Sequence, residues 1–550
     1  MTKIPANIKE VLKKLEASGF EAFVVGGCVR DLLLDVEPQD WDITTNAKPE
    51  EVQKIFPDSV YENQFGTVGV KLKVENEKSK IIIDNSKVKK EPLIANHQLK
   101  AGKYEIVEVT TYRVESKYTD KRHPDKIKFA KTLEEDLSRR DFTINAMALK
   151  ISNPKTQTPD ELPDSNNNQE VKFKDQNIID PFNGKKDLEN KIIRAVGDAN
   201  ERFNEDALRM IRAVRFISAL GGNPKYQKKE PKRVLENNKK QWQVEKETLR
   251  AIEKNADNLR YIAKERIQDE LTKIIISDQP AKGVDLLVQT RLMKHIMPEI
   301  GHTIGVKQNR HHYYGPYNTV YAHMLASLEK CPSKKLEVRL ASFLHDVGKP
   351  MTKQGEGELA TFHGHEYVGA RITVKILERL KYPKKVIDKT VLLVKNHMFY
   401  YNVDEVGEAG VRRVVKKVGL ENINDLIDVR IADRLGSGVP KAVPYKLRHF
   451  KYMVEKVSKD AISVKQLKIN GNDLMEKLKI KPGPKIGAML DVLLAHVIDN
   501  PEINNKKELF KIAKELEKKD LAKLRELAKD KIEEKKEEEE EEIKGKYWVK

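Results

Sequence analysis

Cysteine is almost absent from this chain: Cys28 and Cys331 are the two in 550 residues. Two such thiols build neither a disulfide framework nor a thiolate metal site. No apolar run reaches membrane-spanning length and no apolar leader opens the sequence. A cytoplasmic, reducing compartment and no membrane partner are therefore expected. Aromatic residues are also scarce, at 6%. What the chain has in excess is positive charge, 103 Lys and Arg against 85 Asp and Glu, a formal net charge of +18. That balance points to a polyanionic partner, nucleic acid first, or else to a lysine-rich solubilising surface. The length suggests roughly three to five domains.

Phe23, Val24 and Val25 form a short apolar run ending in Gly26 and Gly27, after which Val29 to Leu34 has helical spacing. The pattern reads strand, glycine turn, helix start. Such a turn lets a triphosphate approach the backbone N–H groups, the helix N-terminus adds positive dipole, and Arg30 is placed to fork a phosphate. Asp40 and Asp42 alternate on what reads as a second strand, which puts both carboxylates on one side as a seat for hard divalent cations. Alone, a Gly-Gly turn is commonly structural and an Asp-x-Asp commonly a solvated loop. Further on, Ile106 to Arg113 is an alternating strand in which Glu108 has the opposite parity to Val107 and Val109. Glu108 is thus either a third carboxylate of the same group or an exposed strand residue. Arg139-Arg140-Asp141-Phe142-Thr143-Ile144-Asn145-Ala146 follows and reads as a charged helix start.

The order Gly-Gly-x-Val-Arg-Asp, Asp-x-Asp, Val-Thr-Thr-x-Arg, Arg-Arg-Asp-x-Thr-x-Asn-Ala resembles the class II tRNA nucleotidyltransferase and bacterial poly(A) polymerase family. The resemblance implies a nucleotidyltransferase head in which Asp40 and Asp42 hold Mg²⁺ and Gly27, Arg30 and Arg140 contact the incoming nucleotide, beside Gly26. It also makes the loop from Asp120 to Pro124 the element associated with adding a terminal A.

Arg202 to Phe216 reads as one helix with Asn204 as N-cap. Asp206, Arg209, Arg212 and Arg215 recur every three residues as a polar stripe. An ordinary surface helix pairs such residues. A sharper reading starts from cytosine and adenine, which both show an amino donor beside a ring-nitrogen acceptor. One carboxylate and one guanidinium, Asp206 and Arg209, would accept both bases and oppose uracil and guanine with unpaired partners, a penalty of about 1–3 kcal/mol. The family places that role on the motif matched by Glu205-Asp206-Ala207-Leu208-Arg209, and nucleotide contacts on the positions of Arg212 and Arg215.

His323, His345-Asp346, His365, His397 and Asp433 are spread over several helical stretches. Imidazole and carboxylate ligands brought together in this way suit a transition metal or hard divalent ion that activates water. The set resembles the HD phosphohydrolase superfamily. That resemblance assigns His323, His345, Asp346 and Asp433 as ligands of a divalent transition metal or Mg²⁺, and His365 and His397 to a second metal. Leu467-Lys468-Ile469-Asn470-Gly471 and Ile480-Lys481-Pro482-Gly483-Pro484 resemble the C-terminal helical region of CCA-adding enzymes, which anchors tRNA.

The expected fold class is α+β multidomain: a nucleotidyltransferase mixed α/β head over 1–195, an all-helical neck over 196–282, an HD body over 283–445, a C-terminal tRNA-binding helical region over 446–515 and a charged, solvated tail over 516–550. Insertions are expected near 75–103, 153–175 and 222–241. The function this implies is template-independent addition of CCA to tRNA 3′ ends from CTP and ATP, with an HD phosphatase or phosphodiesterase acting on RNA ends. A poly(A) polymerase or A-adding enzyme, and an HD hydrolase with an inactive head, are the alternatives.

Overall fold

The computed structural model describes residues 4–549 except 63–65, 74–103, 116–126, 152–176, 223–240, 309–317, 404, 440–442, 459–463 and 465–466. The loop from Asp120 to Pro124 and the three expected insertions, Gly222 and Gln241 aside, lie outside the described residues. Two compact units are present, Met1–Ile304 with Lys375–Lys384, and Gly305–Val374 with Lys385–Lys550. The first is a mixed α/β head continued by helices, and the second is helical.

In the first unit, α1 (Ala6–Ala17) buries Ile8, Val11, Leu12 and Leu15, the spacing of a single helix face. Strands β1 (Ala22–Val25), β2 (Asp42–Thr45), β3 (Ser59–Glu62), β4 (Thr67–Lys73) and β5 (Tyr104–Thr111) join one sheet. A side hairpin of β6 (Arg113–Glu115) and β7 (Ile127–Phe129) follows, and β8 (Ala148–Leu149) and β9 (Ile178–Ile179) complete the main sheet in the order β3-β4-β5-β2-β1-β8-β9. Val24, Ile43, Val68 and Val109 pack with α1 into its core. The pairing of β2 with β5 is parallel and sets Asp42 opposite Glu108.

The second strand starts later than its alternation suggests. Asp42 opens β2, and Asp40 lies in the preceding bend, exposed. On the β1 side the register ends there: β1 stops at Val25, opposite Asp42, because the chain turns into α2 (Gly27–Leu33), so Asp40 has no partner in β1. After α3 (Pro49–Ile55) and α4 (Leu133–Ser138), Arg139 is the C-cap of α4, so the Arg-Arg-Asp string ends a helix rather than starting one. The helix start is Thr132, whose hydroxyl accepts from the Glu135 N–H in a capping box.

Beyond α5 (Gly184–Asn190), the expected continuous helix from Arg202 to Phe216 is two helices, α6 (Ala199–Glu205) and α7 (Leu208–Gly222). Asp198 caps α6, not Asn204. Asp206 is extended, with φ −138° and ψ 104°, and its carboxylate accepts from the Leu208 N–H at 3.0 Å. An aspartate that bonds the backbone just ahead of it competes with helix continuation and starts the next helix instead. Helices α8 (Lys246–Asn255) and α9 (Lys264–Ile275) follow, α8 packing on α6 and α9 on α7.

In the second unit the Val320–Glu329 and Leu420–Gly436 helices pack side by side. Their approach depends on Gly436, where a Cβ would lie 2.8 Å from the Ser327 backbone nitrogen. The last helix, Leu521–Tyr547, is not simply solvated: Ile543 and Val549 are buried, and Glu540 accepts from Lys456 Nζ at 2.7 Å and Tyr452 Oη at 2.6 Å. Those bonds, Lys456 first, hold the Glu540 carboxyl down at about 2. A depressed carboxylate stabilises the fold above its ordinary value of 4.5 and loses that contribution as pH falls toward 2. Hydrogen exchange should therefore show protection of the Glu540–Tyr547 amides fading between pH 5 and pH 2, and Glu540→Gln should remove that dependence.

Candidate functional site

Gly26 carries φ 84°, a left-handed backbone that favours glycine, and a Cβ there would meet Arg140 Nη1 at 2.8 Å and Asp42 Oδ2 at 3.7 Å. The glycine turn thus opens directly onto Arg140 and Asp42. These two line a cavity of about 230 Å³ together with Glu108, Thr67, Arg113 and Arg139. Glu108 is exposed on the face opposite to the buried Val107 and Val109. Burial pushes the Asp42 carboxyl up, Arg140 pulls it down and Asp40 pushes it up again, leaving it above its ordinary value. Asp40, though off the strand, is therefore near enough to act on Asp42. An oxygen-only group of carboxylates with like-charge repulsion fits a hard divalent cation such as Mg²⁺.

Arg139 and Arg140 are steered by Asp136, buried beneath them at 3.0 and 3.6 Å. Burial works to raise Asp136, but Arg139 and Arg140 hold it below the usual carboxylate range. Arg30 donates to Asp31 at 2.7 and 2.8 Å and to Asn145 Oδ1 at 2.8 Å, so much of its fork is already engaged. Asn145 in turn donates to Asp141, which also accepts from Arg212 Nε at 2.7 Å. The guanidiniums of Arg30, Arg212 and Arg215 surround the Phe216 ring at 5.4, 5.9 and 4.8 Å from its centroid. Arg215 also pairs with Glu270 of α9 at 2.9 Å.

The Asp206 and Arg209 side chains each engage other partners, and the bond described between the two residues is from the Arg209 backbone N–H to the Asp206 carbonyl at 3.1 Å. Arg266 of α9 donates to both Asp206 oxygens, at 2.6 and 3.3 Å. Arg209 donates to Glu205 Oε2 at 2.6 Å and to the Arg139 carbonyl at 3.1 Å. The break ahead of α7 explains this, because Asp206 sits outside the helix and off its stripe. Asp136, Asn145, Phe216, Arg266 and Glu270 are site neighbours that sequence reasoning missed. Arg266 and Glu270 meet Asp206 and Arg215 from far along the chain, as Arg30 meets Asn145 and Phe216, so local spacing does not show those contacts; Asp136 lies within one helical turn of Arg139 and Arg140, a pairing that spacing could have shown.

In the second unit the six expected ligands come together. His323 Nε2 lies 3.4 Å from Asp346 Oδ2 and 3.3 Å from Asp433 Oδ1, and His345 Nε2 lies 3.2 Å from Asp346 Oδ2. On the other Asp346 oxygen, His365 Nε2 is at 3.2 Å and His397 Nε2 at 3.9 Å. Two groups able to hold a metal result, His323-His345-Asp346 and Asp346-His365-His397, all buried. His345, His365 and His397 each place Nδ1 2.7–2.9 Å from a backbone carbonyl, of Ser342, Phe362 and Val394. Those bonds fix the tautomer and aim the Nε2 lone pairs inward, as a metal requires. Burial and the neighbouring His345 lower His397 to about 3, so its imidazole is neutral. The donor set of imidazole nitrogen and carboxylate oxygen fits a divalent transition metal.

Three stretches match known families: a Poly A polymerase head domain over residues 22–194, a "Probable RNA and SrmB- binding site of polymerase A" over 242–303, and a tRNA nucleotidyltransferase domain 2 over 371–513. The CCA-adding enzyme of Ligilactobacillus salivarius is 30% identical over 521 residues, which span 93% of this chain and 98% of that one. This chain belongs to the CCA-adding enzyme family. Another member, from Pediococcus pentosaceus, is 38% identical over 288 residues, 52% of this chain and 54% of its own. Among solved structures, the CCA-adding enzyme of Bacillus stearothermophilus in complex with CTP matches with a TM-score of 0.51 at 25% identity, over 92% of this chain and 96% of that one. Family membership makes the head a nucleotidyltransferase. His323, His345, Asp346 and His365 fall between the second and third matched stretches. No helix among the described residues is long and apolar enough to cross a membrane.

Proposed function

We propose that this chain adds C, C and A to the 3′ end of tRNA in the cytoplasm, from CTP and ATP and without a nucleic-acid template. The observation that supports this most directly is a CCA-adding relative matched over 93% of this chain and 98% of its own length. The tRNA 3′ hydroxyl attacks the nucleotide α-phosphate, a phosphodiester forms, and the bond to pyrophosphate breaks. We assign Asp40, Asp42 and Glu108 to holding Mg²⁺, which when bound activates the hydroxyl and neutralises charge on the departing pyrophosphate. Gly26 and Gly27 admit the triphosphate to the backbone, and Arg140, held over the cavity by Asp136, faces its charge. Arg30, Arg212 and Arg215 supply the remaining positive wall.

Base choice falls to Asp206 and Arg209 on this reading. Asp206 already accepts three hydrogen bonds, from Leu208 and twice from Arg266. A carboxylate offers about four lone-pair sites, so one is left for an amino group of C or A. The test is to offer labelled CTP, ATP, UTP or GTP with Mg²⁺ to tRNA lacking its last three nucleotides and to sequence the 3′ ends. Addition of C, C and A that then stops is the expected result; long A tails would instead make the chain a poly(A) polymerase.

We also assign the His/Asp cluster to an HD-type phosphohydrolase centre acting on RNA ends, in which His323, His345, Asp346 and Asp433 would hold one divalent metal and Asp346, His365 and His397 a second, to supply an activated water. Its support is the sharing of the two Asp346 oxygens between two histidine pairs.

A further inference from the structure

Among the described ligands of the His/Asp centre, the side chains of His323, His345, Asp346, His365 and His397 are 1–8% exposed, whereas that of Asp433 is 16% exposed. Asp433 is thus the most exposed of the six. Arg430 Nη1 donates to Asp433 Oδ2 at 2.7 Å and also touches Met398 Sδ at 3.8 Å. Met398 directly follows the ligand His397, and the backbone from it leaves the helix as irregular chain.

Burial alternates along that segment. Phe399 and Tyr401 turn inward, with ring centroids 4.8 and 5.0 Å from that of Phe450, while Met398 and Tyr400 are 52% and 68% exposed. Met398 and Tyr400 thus both face solvent, on either side of the inward Phe399. Tyr400 is thereby exposed close along the chain to the methionine that meets Arg430. Its ring is also fixed: the hydroxyl donates to Glu405, which accepts from Asn402 as well. The ring edge is tied down and its face is open. On the other flank, exposed Lys395, two residues before His397, lies 5.9 Å over the ring of Tyr367, itself 51% exposed.

We infer that Tyr400, with Met398 beside it, is a stacking subsite for the terminal base of a single-stranded RNA, and that Arg430 and Lys395 receive its backbone phosphates. The inference rests on the reading of the cluster as a hydrolytic metal centre, and it adds how that centre tells an RNA end from a bare phosphate ester. Rigid exposed rings interleaved with cations are the sequence-tolerant way to hold a single strand, since every base offers a π-face. A buried metal group beside them is where a terminal phosphate would be drawn.

The test uses the full chain in EDTA, so that nothing is hydrolysed, with an RNA tetranucleotide ending in 2-aminopurine and a 3′-phosphate. Stacking quenches the 2-aminopurine fluorescence. Wild type should quench it, Tyr400→Ala should bind about tenfold more weakly or worse with the quench lost, and Tyr400→Phe should restore both. An unlabelled competitor whose last nucleotide is abasic should compete equally against both proteins. Equal quenching by wild type and Tyr400→Ala overturns the subsite, as does a 2-aminopurine mononucleotide that binds as tightly as the tetranucleotide. A separate Mn²⁺ titration by calorimetry, run on the Asp42→Asn chain so that the head site does not contribute, reports on the His/Asp centre: absence of Mn²⁺ binding there defeats that reading without touching the quenching result. Tyr400 is exposed enough that its truncation leaves the fold intact, which thermal melting checks.

Discussion

Asp42→Asn should lower the single-turnover rate of CTP incorporation into tRNA by about a thousandfold or more, while the melting temperature moves little. The change keeps the size and polarity of the side chain and removes one oxygen anion. Asp42 sits where β2 begins, opposite Glu108 and within reach of Gly26 and Arg140, so the glycine turn, a second carboxylate and an arginine assigned to the triphosphate all meet at it. Loss of an anionic ligand removes several kcal/mol of charge stabilisation from the transition state, and each 1.36 kcal/mol is a factor of ten. The core beneath the sheet is untouched, because Asp42 contributes no apolar packing to it. A variant retaining a tenth of the wild-type rate would remove Asp42 from the metal-binding role. The same measurement on Glu108→Gln separates the two meanings of that residue: an exposed strand glutamate loses almost nothing, whereas a third ligand loses a large part of the rate.

The contrast between Glu108 and Asp40 shows which parts of such a site a sequence displays. Glu108 lies inside a strand, where parity alone dictates its face, and it stands opposite to Val107 and Val109 as alternation requires. The same rule puts Asp40 on a strand, yet it lies outside β2, whose partner β1 ends opposite Asp42 at a glycine turn. Pairing partners are not visible in a local pattern. The α6–α7 break has a similar origin. Arg202 to Phe216 has helical spacing throughout, yet Asp206 bonds the backbone ahead of it and starts a new helix. That break redirects Asp206 to Arg266, sixty residues on, and leaves Arg209 to Glu205. Charge spacing still places Glu205 beside Arg209 across the break, but it does not show that the extended Asp206 turns away to Arg266. The histidines and aspartates of the second unit were legible for another reason: so many imidazoles and carboxylates are costly to bury unless they meet, and five of the six have side chains no more than 8% exposed.

That burial makes the His/Asp centre the place where a single substitution should separate one metal from two. In an Asp42→Asn background, which removes the contribution of the head carboxylates, calorimetric titration with Mn²⁺ should find two sites, both in the second unit. His365→Ala removes a ligand from the Asp346-His365-His397 group alone and should leave one. Asp346→Asn should abolish both, because one oxygen faces His323 and His345 at 3.4 and 3.2 Å while the other faces His365 at 3.2 Å. An amide in that place offers one weak acceptor to one group and a donor to the other. The metal-free Asp346→Asn protein should also be less stable, by about 3 kcal/mol, since Lys349 Nζ lies 2.6 Å from Asp346 Oδ2 and is only 13% exposed. Breaking one partner of a buried pair leaves the other charged and poorly solvated, and the neutral amide has no charge to return. Two sites remaining in Asp346→Asn would mean that the carboxylate serves as the anchor of Lys349 and not as a bridge. One site in the Asp42→Asn background, unchanged by His365→Ala, would confine the metal to His323, His345, Asp346 and Asp433.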